Sequence, residues 1–171
     1  MRDHSPVTAS LPFDPIEEAR RQWVAHGWTD AADGMAAVTS VMRAQQILLA
    51  RVEAVLKPLG LTFARYELLM LLSFTRTGSL PLSKTWDRLQ VHPTSVTNTV
   101  DRLAGQGLVR RLPHPTDGRV TLVEITGPGR QVAGEATAAV NPVFENPGLG
   151  PHEVSRLVAL LAELRRGAGD F

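Results

Sequence analysis

Apolar residues recur at helical spacing along most of the chain. The first such stretch opens at Asp14-Pro15: aspartate is a good N-cap, proline suits the first helical position, and Glu17 and Glu18 favour the positive end of the helix dipole. Ile16, Ala19, Trp23 and Val24 keep one apolar face to about His26, and Gly27 supplies a stop. A loop with Asp30, Asp33 and Gly34 is expected next, then a long helix over 35–57. Its Val38, Val41, Met42, Leu48, Leu49, Val52, Val55 and Leu56 populate more than one face, so it needs several packing partners. Pro58 and Gly60 mark its end. Thr62 caps a helix through Ser73, with Phe63, Tyr66, Leu69, Met70 and Leu72 as its apolar set. A short helix over 81–89 and a turn of Gln90, Val91 and His92 lead to Pro93, which opens another helix ending at Gly105. Two β-prone stretches, 108–112 and 120–126, flank the turn-rich run from Pro113 to Arg119 and predict a hairpin with a long tip. Thr126 caps a helix over 128–140, which Asn141-Pro142 bends or ends. The last helix opens at Pro151, and Val154, Leu157, Val158 and Leu161 form a seam that Leu164 extends. Residues 1–12 read as a frayed tail.

The pattern is mainly α with one small β-hairpin. A length of 171 residues suits one compact domain or two small lobes sharing a core. No run is long and apolar enough for a membrane span, and the N-terminus, with Arg2, Asp3 and His4, lacks the apolar core of a secretory signal; a cytoplasmic protein is the expectation. The absence of cysteine excludes a disulfide scaffold, a thiol nucleophile and a cysteine-ligated metal site.

A net charge of +1 conceals an uneven distribution. Residues 76–119 carry seven basic side chains (Arg76, Lys84, Arg88, Arg102, Arg110, Arg111, Arg119) against three acidic ones, whereas residues 1–75 and 120–171 are each slightly acidic. Such a basic island attracts polyanions.

The island coincides with helix, tight turn, helix and hairpin, an arrangement that reads DNA. The second helix, 93–105, turns Val96, Val100 and Leu103 inward and Thr94, Ser95, Thr97, Asn98, Asp101 and Arg102 outward. Short Thr, Ser and Asn side chains let a backbone approach a major groove and hydrogen-bond base edges or phosphates. An ordinary surface helix would carry Lys and Glu on that face; this one carries neither. Ser83 and Lys84 on the preceding helix and Arg110 on the first strand join the candidate DNA contacts, as does His92 in the turn, which shares with His114 the alternative of a solvated turn residue. Arg119 at the hairpin tip suits a narrow minor groove, and Asp117 is placed to hold that arginine or the tip backbone.

The runs LTFARYELLMLL and LPLSKTWDRLQVHPTSVTNTVDRLAGQGLVRRLPHPTDGRVTLVEIT resemble the multiple-antibiotic-resistance regulator (MarR) family of bacterial transcription factors. The resemblance is detailed over 61–130, most specifically in VTNTVDRL, GLVRR and the Asp117-x-Arg119 wing pattern. It implies a winged helix–turn–helix lobe (61–126) between dimerisation helices (1–60 and 127–171), in an obligate homodimer that reads a pseudo-palindrome, commonly as a repressor. It puts Thr94, Ser95, Thr97, Asn98 and Arg102 on the recognition helix and makes Arg119 the minor-groove arginine. Trp86 departs from the small residue common in the preceding helix, so local packing should differ there. The resemblance also implies an effector pocket where the dimer and DNA lobes meet. Candidates are Trp23, Trp28, Arg43, Gln46, Arg65 and Tyr66, a set suited to a small organic acid or phenol.

Enzyme readings are weak, and no cofactor is expected. Gly127-x-Gly129 after a strand resembles a dinucleotide loop, but position 132 is Val where a third small residue belongs. The five histidines show no metal spacing. The alternative function is a winged-helix module for protein–protein contacts with little sequence-specific DNA binding. Steep salt dependence would mark the DNA reading.

Overall fold

The computed structural model describes residues 11–89 and 93–171, except for the side chains of residues 86, 87 and 93–95. The expected tail falls largely, and the turn at Gln90, Val91 and His92 entirely, outside the described residues. The chain divides into two compact units, Met1–Leu49 and Ala50–Phe171.

In the first unit, α1 (Pro15–Ala25) starts as its sequence predicts, with the Asp14 carboxylate accepting from the Ile16 N–H at 2.9 Å. Gly27 takes φ 83°, a left-handed conformation that costs glycine little. The reversal is therefore tight, and α2 (Thr29–Leu56) begins two residues later. The predicted loop with Asp30, Asp33 and Gly34 is instead the first turns of α2. Asp30 lies where the helix dipole favours an anion, Ala32 is buried, and Arg20 of α1 reaches Asp33 at 3.3 Å. Arg20 also binds Glu17 at 2.9 Å and holds that carboxyl below its ordinary pKa. These contacts tolerate Gly34 inside a helix, which costs about 1 kcal/mol relative to alanine.

The second unit contains the end of α2, a 3-10 turn (Lys57–Leu59), α3 (Phe63–Ser73), β1 (Ser79–Pro81), α4 (Leu82–Leu89), α5 (Pro93–Gly105), β2 (Val109–Pro113), β3 (Thr121–Ile125), α6 (Gly127–Glu145) and α7 (Pro151–Gly167). The strands form an antiparallel sheet in the order β1-β3-β2. Val52 and Leu56 of α2, Leu68, Leu69 and Leu72 of α3, the inner face of α5, Val123 and Ile125 of β3, and Ala133, Ala136 and Val140 of α6 share one core. Strand β1 was not anticipated: three residues ending in proline show no alternation, and they become a strand only by pairing with the free edge of β3, Leu80 opposite Val123.

Helix α6 corrects a second expectation by running through Pro142 to Glu145. A proline inside a helix costs roughly 3 kcal/mol because it removes an N–H and crowds the preceding turn. Here Val140 is buried, Val143 packs on the core, and Arg51 donates to the Asn146 and Pro147 carbonyls at 2.6 and 3.2 Å, satisfying the helix end. Ala133, Ala136 and Val140 form an apolar stripe of α6 that lies against its own chain's core. By contrast, α1 and α7 contain no buried residue.

Candidate nucleic-acid interface

Helix α5 is fastened from beneath. Val96, Val100 and Leu103 are essentially inaccessible and pack in the core with α3 and the sheet. The opposite side presents Asn98, Asp101 and Arg102 to solvent, with Thr97 half-buried beside them. The Arg102 guanidinium makes no hydrogen bond or ion pair with any described residue. The side chains of Thr94, Ser95 and Trp86, and His92 as a whole, lie outside the described residues. On α4, Ser83 and Lys84 are exposed, while the buried Thr85 hydroxyl donates to the Leu82 carbonyl at 2.6 Å and ties down the first turn.

The hairpin between β2 and β3 presents the other element. His114 N–H donates to the Val120 carbonyl at 2.9 Å, and Val120 N–H donates to the Asp117 carbonyl at 3.0 Å, closing the tip. The Asp117 carboxylate accepts from the Arg119 backbone N–H at 3.0 Å. Of the two roles open to Asp117 in the sequence, its contact is with the backbone. The exposed Arg119 guanidinium makes no hydrogen bond or ion pair with any described residue, which leaves its donors for an external acceptor.

Two other members of the basic island, Arg110 and Arg111, are compensated. Arg110 faces Glu124 across β2 and β3 and forms a short ion pair with it, and Arg111 binds Asp101 at 2.7 Å, joining β2 to α5. Counting charge by segment missed the first pairing because Glu124 lies outside the counted stretch and reaches Arg110 only through strand register. Among the outward arginines of α5 and the wing, Arg102 and Arg119 are left without an acidic partner among the described residues. His114 is engaged within the tip, with its Nδ1 3.4 Å from the Thr116 N–H.

Of the two glycines after β3, Gly127 meets open space and Gly129 has a packing explanation. A Cβ on Gly129 would stand 2.0 Å from the Leu108 carbonyl oxygen, so only glycine allows α6 to start this close to β2. The Thr126 hydroxyl caps the same turn, accepting from the Gly129 N–H at 3.0 Å. Among the described residues no group of three His, Asp or Glu side chains could hold a metal ion, and no helix is long and apolar enough to cross a membrane.

The six effector candidates are engaged locally. In the first unit Trp23 and Trp28 meet edge to face at 5.3 Å, His26 stacks on Trp28 at 5.7 Å, and Arg43 donates to Gln46 at 3.2 Å. Trp28 is nevertheless 55% exposed. In the second unit Tyr66 is buried, its hydroxyl 3.2 Å from that of Thr137. Arg65 donates to the Gly60 carbonyl at 3.1 Å and lines a cleft with Asp101, Arg102, Gly105 and Gln106. Gln106 carries no motif in the sequence, and its place in that cleft follows only from the fold.

Residues 61–121 match the model of the MarR family. The chain is 54% identical to Sco5413, a MarR family transcriptional regulator from Streptomyces coelicolor, over 81% of this chain and 97% of that one, with a TM-score of 0.74. It is 25% identical to CouR from Rhodococcus jostii RHA1, solved bound to p-coumaroyl-CoA, over 72% of this chain and 87% of that one, with a TM-score of 0.62. It is also 33% identical to the HTH-type transcriptional regulator YhbI of Bacillus subtilis, over 49% of this chain and 53% of that protein, so this match spans about half the relative's length. With a recognition-type helix, a pinned wing and a near full-length match to Sco5413, the chain belongs to the MarR family of transcriptional regulators.

Proposed function

We propose that the protein binds a pseudo-palindromic operator as a homodimer, represses transcription there, and responds to a small organic acid or phenol. The observation that carries the DNA reading is the pairing of exposed Asn98 and Arg102 on α5 with an exposed Arg119 on a wing tip held by Asp117. Asn98, with Thr94, Ser95 and Thr97, faces base edges. Arg102, Ser83, Lys84 and His92 contact the backbone, and Arg119 enters the minor groove. Arg110, already paired with Glu124, contributes chiefly to wing rigidity.

The dimer reading is supported by α7, whose Leu157, Val158, Leu160 and Leu164 are exposed in a single chain. Residues 1–60 and 127–171 serve as dimerisation segments around the reading lobe 61–126. A twofold axis places the two recognition helices one duplex turn apart, about 34 Å. The exposed Trp28 ring beside Trp23 and the p-coumaroyl-CoA bound by CouR support an aromatic phenol as effector.

Selection of duplexes from a random pool by the purified protein tests this reading. Enriched inverted repeats with half-site centres about 10 base pairs apart are expected. Recovery of no common sequence, with binding indifferent to salt, would replace it with a protein-binding module.

A further inference from the structure

The cleft beside Arg65 runs from one to two helical turns beyond Asn98, on the same outer side of α5 and just past its end. Its volume is about 400 Å³, and Arg65, Asp101, Arg102, Gly105 and Gln106 line it. Two of its donors are held by one acceptor: the Gly60 carbonyl takes hydrogen bonds from Arg65 Nη1 at 3.1 Å and from Gln106 Nε2 at 3.4 Å. That carbonyl brings side chains from α3 and from the end of α5 to one point. It uses one of the five guanidinium N–H groups of Arg65 and leaves the others available to the cleft. Arg102, on the opposite wall, has no partner among the described residues. The carboxylate in the lining, Asp101, is compensated by Arg111 at 2.7 Å. Two guanidinium groups and an amide therefore face a space with little opposing negative charge.

We infer that this cleft is an oxyanion site, occupied in the operator complex by a backbone phosphate. This rests on the reading that α5 enters the major groove. A helix rises about 1.5 Å per residue, so Gln106 lies roughly 12 Å along α5 from Asn98. The groove is about 8.5 Å deep. With Asn98 at the base edges, the end of α5 stands at the groove rim, where the phosphates are. Planar guanidinium groups bind phosphate through paired charge-assisted hydrogen bonds, and Arg65 and Arg102 offer two such forks. Arg65 then belongs to the DNA-binding surface rather than to an effector pocket. A free oxyanion offers the same chemistry, and the test separates the two sources.

The test compares wild type with Arg65→Ala, Arg65→Lys and Gln106→Ala on the selected duplex across a range of salt, after thermal melting confirms that each variant folds. Arg65→Ala is expected to lower affinity about tenfold at low salt, evenly across sequences. It should also reduce the slope of log affinity against log salt by about 1.8, the counterions of two phosphates, one for each subunit of the dimer. Arg65→Lys keeps the charge and should restore the slope with only part of the affinity; Gln106→Ala should lose affinity with the slope intact. In parallel, inorganic phosphate is titrated into the DNA-free protein. Stabilisation of wild type that disappears in an Arg65→Ala/Arg102→Ala double variant, with an unchanged DNA slope, assigns the site to a free oxyanion. An unchanged slope with no phosphate-dependent stabilisation overturns the inference. Asn98→Ala and Arg119→Ala serve as controls: if they impair DNA recognition while Arg65→Ala does not, the reading head stands and the phosphate assignment fails.

Discussion

Helices α5 and α7 carry apolar residues at the same spacing, yet the chain treats them differently. Val96, Val100 and Leu103 of α5 vanish into the core, with Val100 at 0% exposure, whereas Leu157, Val158 and Leu164 of α7 stay at the surface, Val158 at 62%. Periodicity says that a face needs covering and not what covers it. For α5 the cover is α3 and the sheet, so the opposite polar face is left for an external partner. For α7 the chain supplies no complete cover, and the apolar face stays exposed, as a surface open to association would. In the proposed function the two helices divide two tasks, recognition and association, using one sequence pattern.

Placing the same charge on each helix breaks the comparison most severely. Val100→Asp puts an unpaired carboxylate in a closed core and should cost at least about 4 kcal/mol, abolishing cooperative unfolding in a melt. The second largest effect is expected where α6 begins. Gly129→Ala forces a methyl onto the Leu108 carbonyl and should cost about 3 kcal/mol in denaturant unfolding, whereas Gly134→Ala, in open space inside the same helix, should stabilise by up to about 1 kcal/mol. Val158→Asp is the counterpart on α7. It should leave helix content and core unchanged while raising the dimer dissociation constant at least about 100-fold in sedimentation, because a twofold axis buries the new charge twice. A Val158→Asp protein that unfolds as Val100→Asp does would show α7 to be part of the chain's own core.

The two helices also show what sequence can disclose. Both ends of α5 and α7 were legible, because Pro93 and Pro151 suit a first helical turn and Gly105 and Leu164 lie at or near the observed ends. Helix α3 was equally legible through its Thr62 cap. Errors arose where a distant contact outweighed a local signal. Gly34 and two aspartates suggested a loop, but Arg20 and the buried Ala32 keep that stretch helical. Pro142 suggested a bend or an end to the helix; core packing and Arg51 carry α6 past it, so it is not an end. Strand β1 exists only because β3 offers an edge. At the site, the outward face of α5 and the wing arginine were read from spacing. The neutralisation of Arg110 and the convergence of Arg65 on Gln106 depend on register and on a shared carbonyl, which no linear motif encodes.

The smallest structural change carries the sharpest functional contrast. Arg119→Ala removes an exposed side chain whose tip backbone is held independently by Asp117, so neither fold nor association should respond. The decisive measurement pairs sedimentation of this variant with its affinity for the selected duplex. The predicted result is an unaltered dimer whose operator affinity falls at least about tenfold, through loss of a charge-assisted contact in the minor groove. Wild-type affinity in the variant would contradict the assignment of the wing as a DNA-reading element.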